Sequence, residues 1–234
     1  METYLELIDA INVRRLDANV SVKLTALGLD IDPELCRVSF IRILERAKGC
    51  VPPLFVRIDM EGTPHTDRTL ALFDQMWEEG YRNVGVVIQA YLYRSEADIV
   101  ALNIQQVRVR LCKGAYKEPE SVAFQDRAEV DRSYVRCLKV LMSGQGYPMI
   151  ASHDPRLVEI AGALAHKQDR AADTFEYQML YGIRPDEQKR IADRGDQMRV
   201  YLPYGQDWYG YLMRRMAERP ASTMFFLRAL ATKG

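Results

Sequence analysis

The stretch FVRIDME (residues 55–61) alternates two kinds of side chain: Val56, Ile58 and Met60 on one face, Arg57, Asp59 and Glu61 on the other. A period of two is the mark of a β-strand. Six further segments read the same way: SVKLT (21–25), VGVVIQAY (84–91), VRVRLCKGAY (107–116), MIASHD (149–154), TFEYQM (174–179) and RVYLPYG (199–205). Most are separated by stretches long enough for a helix. Strand–helix alternation predicts a parallel sheet. Such sheets carry their chemistry at the carboxyl ends of the strands. Waiting at those ends are Lys23, Asp59, Gln89, Arg110, His153, Gln178 and Tyr201.

The spacing of apolar residues predicts a helix over 2–14. Asp32-Pro33-Glu34 reads as an N-cap with proline at the first helical position, opening a helix to about Lys48. Thr66 or Asp67 is the expected cap of a helix ending near Gly80. A short helix follows Ser95, and others are expected over 120–143, 155–166 and 185–194. Seven strands with a helix before the first predict an α/β fold: a (β/α)8 TIM-like barrel short of its first strand. With no linker in sight, residues 1–234 read as a single domain, with a C-terminal helix over the strand ends.

Bulk composition narrows the function. Lys and Arg total 32, as do Asp and Glu, and no basic tract stands out, so no nucleic-acid partner is expected. Cys36, Cys50, Cys112 and Cys137 form no CxxC pair, which suits reduced thiols in the cytoplasm. The acidic start METYLELIDAI is not a signal peptide, and no apolar run approaches the roughly 20 residues of a membrane span. Peripheral contact with a membrane is compatible with this composition. No second histidine stands at metal-ligand spacing from His153, so no metal is expected.

Charges on an inner strand face are costly unless paired or used. Arg57 therefore has two readings, a network that closes the barrel interior or a functional group. Asp59, at the strand end, favours the second. The same alternation turns Ser21, Lys23 and Thr25 inward, and Gln89 above Val87 and Gly85. Near the carboxyl terminus, Asp207 can cap a helix bearing Tyr211, Arg214, Arg215 and Glu218. That face is either solvated, its Arg–Glu pair worth a few tenths of a kcal/mol, or a paired-guanidinium clamp for a carboxylate.

In series, SVKLTALG, RIDMEG, VVIQAYLYR, VRLCKGAYKE, ASHD, FEYQMLYGIR, RVYLPYG and YLMRRMAERP resemble the proline dehydrogenase family, over about residues 18–220. The resemblance implies a flavin-dependent barrel with FAD as cofactor. Its substrate would be L-proline, its product Δ1-pyrroline-5-carboxylate and its electron acceptor a membrane quinone. It implies a cytoplasmic, nucleotide-binding enzyme, with peripheral association at the inner membrane as an option. Carried over by motif, Arg110 approaches the flavin N5 edge and Gln89 the pyrimidine edge. Lys113, Gly114 and Ala115 line the flavin, His153 and Gln178 join the cofactor site, and Met60 and Val87 pack beside it. Arg214, Arg215 and Lys23 hold the proline carboxylate, supported by Asp59. Leu111, Tyr116 and Tyr201 enclose the ring, and Glu218 partners the arginines or the flavin. Cys112 stands where the family often has valine, its side chain expected to face away from Arg110. A related barrel acting on hydroxyproline, and a flavin-binding shell with little turnover, are the alternative readings.

Overall fold

The computed structural model describes residues 1–205, of which Met1–Val200 form one compact unit. In chain order the elements are α1 (Glu2–Val13), β1 (Val20–Val22), α2 (Pro33–Lys48), β2 (Val56–Ile58), α3 (Thr63–Glu78), β3 (Val84–Gln89), α4 (Ser95–Ile104), β4 (Arg108–Cys112), α5 (Arg127–Ser143), β5 (Tyr147–Ala151), α6 (Pro155–Lys167), β6 (Glu176–Leu180), α7 (Pro185–Asp193) and β7 (Met198–Tyr201). A single 3-10 turn, Thr25–Leu27, follows β1. The seven strands form one parallel sheet in the order β1-β2-β3-β4-β5-β6-β7. Among the described residues this is a curled TIM-like α/β barrel one strand short of eight, as expected.

Local chemistry sets most of the helix starts. Asp32 accepts from the Glu34 amide and Pro33 follows at the first helical position. Asp126 and Asp154 cap α5 and α6 in the same way. Each such cap stabilises its helix by about 1 kcal/mol. Two starts differ from the sequence reading. Helix α3 begins at Thr63, because the Thr63 amide donates to Glu118 Oε1 at 2.8 Å, and a distant carboxylate replaces a local cap. Helix α5 begins at Arg127, not near 120. The preceding segment folds back on β3, with a Leu92–Ala123 bridge and a 2.8 Å bond from the Phe124 amide to the Tyr91 carbonyl.

The main apolar core lies between sheet and helices. Val56, Ile58, Val86, Val109 and Ile150 meet Phe40, Phe73, Met76, Leu138 and Val158 in one buried cluster. Burying each such side chain contributes roughly 1.5–3 kcal/mol. Across the barrel axis the sheet curls far enough for β7 to reach the segment before β1. Arg199 donates to the Asp17 carbonyl and carboxylate, both at 2.9 Å.

Candidate active site

The register defines the inner row. Ser21 pairs with Arg57, Arg57 with Gly85, Val87 with Arg110, Arg110 with Met149, and Met149 with Glu176. Paired residues in a parallel sheet point to the same face. At the amino end the Arg108 guanidinium stacks on Phe55 and Tyr147, 5.1 and 4.8 Å from their ring centres. In the middle, Arg57 is 1% exposed, donates to Ser21 Oγ at 2.9 Å and lies 3.9 Å from Glu176. Burial, and then the positive charge of Arg110, lowers its pKa to about 9. Of its two readings Arg57 takes the structural one, a buried charge held in the network that fills the barrel.

The carboxyl tier is centred on Arg110. Its Nε donates to Gln178 Oε1 at 2.6 Å, one terminal nitrogen to Asp59 Oδ1 at 2.8 Å, and the other to Ser21 Oγ at 3.2 Å. Three strands other than its own thus fix the guanidinium plane. Asp59 sits just past β2, where its amide donates to the Val22 carbonyl at 2.8 Å. Lys23 follows Val22, two residues beyond Ser21 on the inward row, and is half-buried. Among the described residues no carboxylate pairs with its ammonium. From α1, the Tyr4 phenol faces the Lys23 backbone. Burial raises that phenol's pKa, as do the charges of Asp59 and Glu61.

Gln89 ends β3 and is buried. Its amide nitrogen donates to the Met60 and Glu61 carbonyls, each at 3.0 Å, while its Oε1 has no partner among the described residues. A buried carbonyl left open is unusual and marks a place for a donor. Met60, whose carbonyl receives that amide, and Val87, two residues before Gln89, are both buried. His153 follows β5, and its Nε2 accepts from the Leu180 amide at 2.9 Å, so that nitrogen carries no proton. Gly114, at φ +115°, bends the chain after β4. A Cβ there would lie 2.3 Å from the Tyr91 ring. Ala115 and Tyr116 follow on the surface of that loop.

Three carry-overs do not fit this geometry. Leu111 pairs with Ile88 and Ile150 on the row opposite Arg110 and is fully buried in the core under the helices. It therefore does not face the barrel mouth. The apolar side chain on the inner row there is Leu180, two residues past Gln178. Lys113 points to the helices, where its ammonium meets Asp131 at 2.5 Å and Asp154 at 3.2 Å, so only its backbone borders the mouth. Cys112 shares its row with Gln89 and Arg110 rather than facing away. Burial lifts its thiol pKa to about 11. Tyr201 closes β7 and is half-buried. Arg214, Arg215 and Glu218 lie outside the described residues. Sequence reading turned Ser21 inward but missed its tie between Arg57 and Arg110, and it missed Glu118, which anchors the loop after β4. An acid 55 residues from its partner gives no periodic signal.

The model of the proline dehydrogenase family matches residues 1–228. Proline dehydrogenase 2 of Bacillus subtilis (strain 168) is 41% identical over 232 residues, 99% of this chain and 76% of the relative. The chain belongs to the proline dehydrogenase family. Another proline dehydrogenase, from Deinococcus radiodurans, is 38% identical over 230 residues, 97% of this chain and 74% of its own. Among solved structures, proline utilization A from Bdellovibrio bacteriovorus, crystallised after inactivation by N-propargylglycine, superposes with a TM-score of 0.82 at 28% identity. That match covers 92% of this chain and 27% of the larger protein, so the chain spans about a quarter of it. Fold and family agree: the proline dehydrogenase barrel is the curled sheet described above.

Proposed function

We propose that this chain oxidises L-proline to Δ1-pyrroline-5-carboxylate, the first step of proline catabolism, with FAD as its cofactor. One observation carries the reading. A half-buried Lys23 ammonium, without a carboxylate among the described residues, stands on the inward row beside the Arg110–Asp59 pair. A cation at the mouth, beside an ion pair that leaves it without a carboxylate among the described residues, is a seat for an anion.

The residues present fit a flavin. The open Gln89 carbonyl suits the ring's N–H donor, and Gly114 keeps the wall beside Tyr91 free of a Cβ. Arg110 would stand at the N5 edge, where its charge favours the reduced, more negative ring. His153, Gln178, Met60 and Val87 would complete the cofactor wall, with the Lys113 and Ala115 backbone at its border. When bound, the flavin takes the hydride that leaves C5 of proline. The substrate amine gives up one proton, and the C5–N bond becomes double. Lys23 would hold the substrate carboxylate and Leu180 would meet the ring. Tyr116, Tyr201, Arg214, Arg215 and Glu218 enter from the sequence resemblance. So do the membrane quinone as electron acceptor and a cytoplasmic site of action at the membrane surface. Orientation by such charges is where proximity lowers the barrier.

The test is anaerobic addition of L-proline to the purified yellow protein. Loss of the oxidised-flavin absorbance is expected. Yellow protein that proline does not bleach contradicts the reading, and preferential bleaching by hydroxyproline assigns the other substrate.

A further inference from the structure

Lys23 lies just past the end of β1, whose only sheet partner among the described residues is β2. The last bond of that ladder is the one from the Asp59 amide to the Val22 carbonyl. Beyond it the chain needs another restraint, and Glu61 supplies one. The Thr25 amide donates to Glu61 Oε1 at 3.1 Å and the Thr25 hydroxyl to Oε2 at 2.7 Å. The same residue's carbonyl receives Gln89 Nε2 at 3.0 Å. Glu61 thus presents its carboxylate to the loop that carries Lys23 and its main chain to the amide beside the proposed flavin seat.

We propose that Glu61 is a positioning residue that sets Lys23 against the substrate carboxylate, acting through Thr25; this rests on the reading of Lys23 given above. The lysine side chain is long and flexible, and no described carboxylate fixes its head. Its direction is therefore inherited from its backbone. That backbone is held by the Thr25–Glu61 pair two residues on. Truncating Glu61 leaves the Gln89 anchor in place, because that bond uses the main chain. The effect should fall on proline and spare the flavin.

The experiment measures proline KM, kcat and flavin content in the full chain for Glu61→Ala, Glu61→Gln, Thr25→Val, Lys23→Met and the Lys23→Met/Glu61→Ala double variant. Glu61→Ala is expected to raise KM about tenfold, the loss of a charge-assisted bond, with kcat and flavin content near wild type. Thr25→Val should shift KM in the same direction, and it keeps the test alive where Glu61→Ala fails to fold. Glu61→Gln, which still accepts from the Thr25 amide, should recover most of the loss. In the Lys23→Met background Glu61→Ala should change nothing further, since residues acting through one another are not additive. An equal KM increase in both backgrounds, or a parallel loss of flavin, overturns the proposal. If Lys23→Met raises KM while Glu61→Ala and Thr25→Val do not, Glu61 alone falls. If Lys23→Met leaves KM unchanged, the carboxylate role of Lys23 falls and the Glu61 proposal with it.

Discussion

Arg110 and Asp59 meet at 2.8 Å from different strands, with side chains 9% and 13% exposed. The pair aligns the only inward arginine of β4's carboxyl half. Gln178 and Ser21 hold the same guanidinium on its other edges. Asp59→Ala leaves a buried cation whose partners among the described residues are the neutral Gln178 and Ser21. Breaking a buried pair from one side typically costs about 3–5 kcal/mol, and the two remaining bonds reduce this to roughly 2–3 kcal/mol. Urea unfolding of the variant measures it. In the proposed reaction kcat/KM for proline should fall about a hundredfold, because the guanidinium is no longer fixed. Wild-type kinetics in a folded Asp59→Ala protein would contradict that role.

Gln89→Leu removes the open carbonyl together with the bonds to Met60 and Glu61. One lost neutral hydrogen bond is worth about 0.5–1.5 kcal/mol, or roughly 2- to 10-fold in affinity. Flavin titration of the stripped protein, followed by fluorescence quenching, should show that weakening. The leucine also leaves the Met60 and Glu61 carbonyls without that donor, so thermal stability without flavin should fall as well. A variant that binds flavin as tightly as wild type would remove Gln89 from the cofactor site.

Gly114→Ala places a methyl group where the Tyr91 ring lies, on a backbone at φ +115°. Both the overlap and the positive φ oppose it. Together they should cost roughly 2–4 kcal/mol. A Tyr91→Leu background relieves the overlap but not the backbone strain. The double variant should therefore recover only part of the lost melting temperature. Full recovery would show that sterics alone demand glycine here.

The strand series was legible because each strand carries its own period, and α2, α6 and α7 were legible because proline opens each of them at Pro33, Pro155 and Pro185. The start of α3 was not, since its restraint comes from Glu118, across the β4–α5 loop. The inward positions of Ser21 and Gln89 followed from alternation. Alternation also argued against Leu111, whose odd step from Arg110 turns it to the helices; the motif-based assignment overrode that signal. Lys113 needed the fold itself, because its partners sit on α5 and at the cap of α6.

Asp154 caps α6 and accepts from Arg156 and Lys113. The Arg156 guanidinium, and after it the Lys113 ammonium, hold its carboxyl well below the ordinary 3.8 against the opposing effect of burial. With the folded-state pKa depressed, the unfolded chain takes up its proton first as pH falls. The stabilisation from these pairs is therefore complete above the ordinary value and is lost as pH drops through the folded one. Asp154→Asn keeps an acceptor for the Arg156 amide, so the cap survives while the charge is lost. The variant should melt below wild type by the same margin at pH 7 and pH 5. That margin should shrink from about pH 4 downward, as the wild-type advantage titrates away. Paired melting curves at pH 7, 5, 4 and 3 check this. A margin that stays constant down to pH 3 would mean that the difference does not come from the carboxylate's pairs with Arg156 and Lys113, and equal melting at pH 7 would mean that Asp154 stabilises α6 through its cap alone.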